Sequence, residues 1–205
     1  MINAPSQAVA AMAWQRSVTE SARESRLTGR PLLVYFTHHD SIPSQQMEAA
    51  LMNNPEFVTL VKESCVPLLV DFSDQDTARS EIYRSLKSRL NVSGYPALVL
   101  TQPDGTEVTR LTGYKRDAAR RHLEVLRDGV QRAGKLAAER RTKLEKEGYR
   151  NWTSKDGNPV FAKLSALDAN MGTFTGEWGE SWKTFLSRLS EPDQAWIAER
   201  RRPAM

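Results

Sequence analysis

The sequence predicts an α/β domain followed by a small, mostly β module. Two observations carry this reading. Over the first 131 residues, short apolar runs such as Pro31–Phe36 and Val66–Phe72 alternate with stretches whose apolar residues recur four apart. That is the pattern of buried strands interleaved with amphipathic helices. After Gly148 it gives way to short β segments between glycine turns, and four of the five tryptophans (Trp152, Trp178, Trp182 and Trp196) fall in this last part.

Taken in order, Ala8–Arg26 is predicted helical, because Trp14, Val18 and Ala22 recur four apart and Gly29 offers a stop. Pro31–Phe36 is a buried strand. His38–Ser44, rich in Asp, Ser and Pro, is a loop. Gln45–Met52 is helical, and Asn54-Pro55 breaks and restarts the helix through Lys62. Val66–Phe72 is a second buried strand. Asp76 or Thr77 caps a helix running to Leu90, with Ile82, Leu86 and Leu90 on one face. After Pro96, Ala97–Thr101 and Glu107–Leu111 form a hairpin around Pro103-Asp104-Gly105. Asp117–Val130 is helical, and Gln131–Glu147, rich in Ala, Arg, Lys and Glu, is a solvated helical linker. A last helix, Glu191–Arg200, follows Ser190 as N-cap, with Pro192 and Asp193 in its first turn. The domains are therefore expected at 1–131, 132–149 (linker) and 150–205.

Composition excludes several functions. The 205 residues are 40% hydrophobic and 26% charged, with a formal net charge of +4, as in an ordinary globular chain. No apolar segment reaches the ~20 residues that span a bilayer. Met1–Met12 lacks the basic start and apolar core of a signal peptide. The location is expected to be periplasmic or secreted if a signal peptide has been removed, and cytoplasmic otherwise. Cys65 is the single cysteine. It cannot form an intrachain disulfide, a two-thiol redox centre or a multi-cysteine zinc site.

Three features carry candidate chemistry. His38-His39-Asp40 with Ser41 and Ser44 offers acid–base groups beside hydroxyls, so an enzyme of another class using the His38–Ser44 loop is the alternative function. No Gly-x-Ser-x-Gly pattern supports it, and the loop reads better as merely polar. Adjacent side chains rarely converge on an ion, so no metal and no cofactor are expected. His122 sits on a charged helix and reads as a surface residue. Residues 132–150 hold seven Lys/Arg against three Glu and the chain ends near Arg200-Arg201-Arg202. Basic runs attract phosphate, so weak nucleic-acid binding through the linker and tail is a second alternative function, but the interspersed acids make a solvated helix the better reading and nucleic acid is not the expected partner.

The run Gly29-Arg30-Pro31, the strand Leu32–Phe36, the segment Thr37–Glu48, the strand ending at Asp71, Gly94-Tyr95-Pro96 before Ala-Leu-Val-Leu, and the Asp104-Gly105 hairpin together resemble the thioredoxin-like family over residues 8–131. The resemblance implies a cis bond before Pro96, with the Tyr95 backbone beside the active loop, where relatives pair with extended polypeptide. It also implies a Cys-x-x-Cys opening a helix. The corresponding stretch is aligned as Ile42-Pro43-Ser44-Gln45, which has no thiol to attack a disulfide or resolve a mixed one. Cys65, just before the second strand, reads as a buried structural residue. Residues 150–201 resemble the Sla-one homology domain, first type, through Arg150-Asn151-Trp152-Thr153, Asp156-Gly157 and Leu189-Ser190-Glu191-Pro192-Asp193-Gln194-Ala195-Trp196-Ile197. That resemblance implies a small SH3-like barrel.

The expected architecture is an α/β thioredoxin-like sandwich plus a small all-β SH3-like barrel, joined by a helical linker. The expected function is a redox-inactive, non-enzymatic scaffold with a protein or peptide partner. Candidate contact residues are Ile42, Pro43, Tyr95 and Pro96 on the first domain and Trp178 and Trp182 on the second.

Overall fold

The structure, a computed structural model, describes residues 12–201. The part of the first predicted helix before residue 12, the chain's first segment and Arg202 lie outside the described residues. The chain divides into two compact units, Met1–Ala137 and Ala138–Met205, each described by itself.

In the first unit a four-stranded sheet has the order β2-β1-β3-β4. β1 (Leu32–Thr37) lies parallel to β2 (Val66–Asp71) and antiparallel to β3 (Ala97–Thr101), and β4 (Glu107–Thr112) closes the hairpin with β3. β1 and β3 are buried along their whole length, as continuous apolar runs covered on both faces must be. One face presents Leu33, Tyr35, Leu98 and Leu100 to Met47, Leu51, Phe57, Val61, Leu123 and Leu126. The other presents Val34, Phe36, Leu68, Val70 and Val99 to Leu86 and Leu90.

The first helix is shorter than the sequence spacing suggests. α1 is Val18–Thr28, because Ser17 caps it by accepting a hydrogen bond from Glu20 N–H. Ahead of it the chain is extended: Gln15 donates to Pro67 O and accepts from Leu69 N–H, forming a bridge to β2. Ladder pairing outweighs the four-residue apolar spacing of Trp14 and Val18. Gly29 ends α1 in the left-handed region (φ 70°). α3 (Pro55–Ser64) starts under an Asn54 cap. The helix expected from Asp76 onward is two pieces, α4 (Gln75–Arg79) and α5 (Glu81–Arg89), because Asp74 is the cap and Ser80 turns extended between them. Leu86 and Leu90 are buried as expected, whereas Ile82 is exposed.

α6 runs unbroken over Ala119–Lys146, so the last helix of the α/β pattern and the charged linker are one element. Leu123, Leu126, Gly129 and Ala133 form its buried stripe. Gly129 is required there by close approach: a Cβ would lie 2.4 Å from Thr109 Cγ2.

In the second unit β5 (Arg150–Thr153), β6 (Pro159–Leu167), β7 (Met171–Gly176) and β8 (Ser181–Phe185) form an antiparallel sheet in sequence order, followed by α7 (Glu191–Arg201). The sheet is open, so the expected closed barrel is not what the strand pairing displays. Trp152, Ala162, Phe174, Leu189 and Ile197 make the core. Trp152 meets Phe174 and Trp196 edge-on, at 5.1 and 5.3 Å between ring centres, and its indole N–H donates to Ala162 O. Asp193 does more than favour the start of α7. It is 4% exposed, accepts from Thr153 N–H, and pairs with Arg150 at 2.7 Å. The Arg150 guanidinium lies 4.6 Å from the ring centres of both Trp152 and Trp196.

Candidate functional site

The segment between β1 and the next helix is organised by hydroxyls. Ser41 is the N-cap of α2 (Ile42–Met47): its Oγ accepts from Ser44 N–H at 3.3 Å, and Pro43 occupies the first turn. The loop is therefore shorter than His38–Ser44, and the helix opens at Ile42. The helix continues into a π-turn over Glu48–Met52. There the Glu48 carboxylate accepts from Tyr35 Oη at 2.9 Å and from Thr37 Oγ1 at 3.0 Å. Burial is the largest cause raising the Tyr35 phenol above its ordinary range; Thr37 opposes this and Glu48 adds to it.

The Tyr95-Pro96 bond is cis, as read from the sequence. The Ser41 hydroxyl donates to Tyr95 O at 3.3 Å, which holds the helix opening against the proline turn. Pro96 is buried, Tyr95 and Pro43 are half-buried, and Ile42 is 65% exposed. The Tyr95 ring has neighbours on several sides. His38 lies 5.7 Å away and Phe72 5.9 Å away between ring centres, and Lys87 Nζ donates to Tyr95 Oη at 2.6 Å while standing over both the Tyr95 and Phe72 rings. Thus Ile42, Pro43, Tyr95 and Pro96 belong to one end of the sheet, together with Ser41 and Ser44.

Alignment by sequence alone places the missing thiol pair at Ile42 and Gln45. In the structure the N-cap of α2 is Ser41, whose hydroxyl bonds to the Tyr95 carbonyl, and Ser44, three residues on, is 1% exposed. The sequence signal for this helix start is Ser-x-Pro, a capping serine with the proline at the second helical position. The chain's one thiol, Cys65, is fully buried at the end of α3. Desolvation pushes it up to about 12, with Arg30 pulling weakly the other way. It has neither exposure nor thiolate character.

His39 Nε2 lies 2.8 Å from Asp40, and the His38 and His39 rings stack at 5.4 Å. The Ser41 hydroxyl addresses Tyr95 O and Ser44 N–H rather than an imidazole, so no activated serine is assembled from these contacts. A surface cavity of about 380 Å³ lies elsewhere, lined by Arg16, Leu69, Asp71, Asp74 and Tyr83 among others. Its Asp71 and Asp74 carboxylates cap the following turn and helix. His122 bonds its ring nitrogen to Ala118 O and packs on Tyr114, half-buried. In the second unit Trp182 stacks on Phe174 against the core, and Trp178 is half-buried under the Arg140 guanidinium at 4.6 Å.

Comparison with known proteins now gives the class. The thioredoxin-like domain family matches residues 18–128, more than half of the chain, and the protein belongs to that family. Among solved structures, one titled DsbH oxidoreductase is 18% identical, covering 64% of this chain and 92% of its own, with a TM-score of 0.53. A thioredoxin from Thermus thermophilus is 24% identical over 58% of this chain and 86% of its own, with a TM-score of 0.48. The C-terminal domain of DsbD from Neisseria meningitidis is 18% identical over 57% and 99%, with a TM-score of 0.46. At these identities the likeness is one of fold. No curated protein matches the chain. Among the described residues no helix is long and apolar enough to cross a membrane.

Proposed function

We propose that this chain is a redox-inactive thioredoxin-like protein that binds an extended peptide or protein segment beside its cis-proline turn. One observation carries the reading. The helix opening meets the Tyr95–Pro96 turn through the Ser41 hydroxyl, with Ser44 three residues on, and neither offers the thiol that disulfide exchange needs. The surrounding surface, with Ile42 exposed and Pro43 and Tyr95 half-exposed, is retained. A hydroxyl cannot form a mixed disulfide, so what such a surface retains is recognition.

The second unit fits an SH3-like module of the Sla-one homology type. The sequential antiparallel order, the irregularity between Leu164 and Ala166, and the Ser154–Leu189 bridge, which ties the chain after β5 to the segment before α7, support this reading. On this view 1–131 is the binding domain, 132–149 the linker and 150–205 an accessory interaction module using Trp178 and Trp182.

The test is selection of linear peptides against the full chain, followed by binding measurement on the enriched peptides. Ile42→Glu is expected to weaken binding at least about tenfold, the loss of ~1.4 kcal/mol of apolar contact. Peptides that bind Ile42→Glu and the parent chain alike would overturn the assignment of this surface.

A further inference from the structure

The loop that leads into α2 carries two imidazoles and a carboxylate on consecutive residues. Neighbours in sequence seldom point their donors at one spot, which is why the sequence gives no reason to expect an ion. Here they do converge: one donor atom from each of His38, His39 and Asp40 falls within 4.8 Å of the others. His39 Nε2 already lies 2.8 Å from Asp40 Oδ1, and His38 Nδ1 lies 3.8 Å from Asp40 Oδ2.

The backbone under these donors is fixed from several sides. Ser41 N–H donates to His38 O at 3.0 Å, and the 3.3 Å hydrogen bond from Asp40 N–H to His38 Nδ1 is released when that nitrogen takes the ion. The Gln45 amide donates to His39 O at 2.6 Å. The His38 ring is braced against Tyr95. The His39 and Asp40 side chains, 69% and 74% exposed, can rotate to a bound ion without breaking the core.

We propose that His38, His39 and Asp40 form a binding site for a late first-row divalent ion of the zinc type. Donor chemistry selects the class. Imidazole nitrogen suits zinc, copper and nickel, whereas calcium and magnesium prefer all-oxygen sites. Tetrahedral bonds of ~2.0–2.1 Å set donors roughly 3.3 Å apart, so the His39–Asp40 pair must open slightly and the His38–Asp40 pair close, both within the reach of exposed side chains. Three protein donors leave a fourth tetrahedral position to water, the open arrangement rather than the closed four-ligand structural kind. The site does not depend on the peptide-binding reading, because no residue proposed to touch peptide is a ligand.

The test is calorimetric titration of the untagged full chain with zinc sulfate, with the imidazole ring signals followed by NMR. One ion per chain is expected, shifting the ring signals of His38 and His39 but not of His122. His39→Ala and Asp40→Asn change exposed side chains and are each expected to weaken binding at least about tenfold; His122→Ala is expected to leave it unchanged. Zinc affinity that survives His39→Ala and Asp40→Asn, shifts confined to the His122 ring, or no binding at all would overturn the proposal.

Discussion

Strand β1 of the first unit buries all six of its side chains, whereas β6, the longest strand of the second unit, fully buries only one of nine. The first sheet is covered on two faces by aliphatic residues from separate helices, so its stability is spread over two clusters. The second gathers its burial around one indole, two further aromatic rings and one buried carboxylate. A small module has little area to bury, and large rings with a few saturated polar contacts must supply what layering supplies in a larger one. The contrast fixes how far a single substitution should reach.

The largest expected effect is therefore Trp152→Ala. It removes the ring on which Phe174, Trp196 and Arg150 converge and costs about 3–5 kcal/mol, enough to unfold a small module. NMR of the full chain should lose the dispersed signals of residues 150–201 while keeping those of β1–β4. Loss of both sets together would show that the units do not unfold separately. Asp193→Ala comes next, at about 2–3 kcal/mol, because it removes the buried partner of the half-buried Arg150 guanidinium and leaves Thr153 N–H unpaired. Urea titration followed by Trp fluorescence reads it directly. In the first unit Gly129→Ala forces a methyl onto Thr109 and is expected to cost about 1–3 kcal/mol, measured by the midpoint of the β1–β4 signals.

Cys65 gives the smallest effect and a defined pH dependence. Its folded value of about 12 stands above the ordinary value of 9.0. The neutral thiol is thus favoured by folding: its contribution is complete below pH 9 and is lost as pH rises from 9 toward 12. A thiol reagent at pH 8 should react with Cys65 only in denaturant. Rapid labelling of the folded chain would show that the residue is more accessible than its burial implies.

The alternation of elements, the β3–β4 hairpin and the cis Pro96 turn were legible because each rests on local chemistry: continuous apolar runs, Asp-Gly, and Gly-Tyr-Pro. Boundaries that depend on partners were not. The extended start at Gln15 is set by β2, forty residues and more away, and the break at Ser80 follows from a cap at Asp74 that outcompetes Asp76. At the candidate site the sequence does not reveal that α2 opens at Ile42 under a Ser41 cap, inside the stretch read as a loop. The position of an N-cap depends on which side chain reaches the helix N–H groups, and Ser41 and Ser44 look alike until that contact is seen. The stacking of Trp182 on Phe174 needs the β7–β8 register, which no local pattern announces.

On the proposed reading, Ser41 and Ser44 occupy the places of a thiol pair beside the cis-proline turn. The most direct test is insulin reduction in the presence of dithiothreitol by three chains: the parent, Ser41→Cys/Ser44→Cys and Ile42→Cys/Gln45→Cys. The expected result is no catalysis by the parent, catalysis by the first double variant and none by the second. Turnover by the parent chain, or catalysis gained by the Ile42/Gln45 pair rather than the Ser41/Ser44 pair, would contradict it.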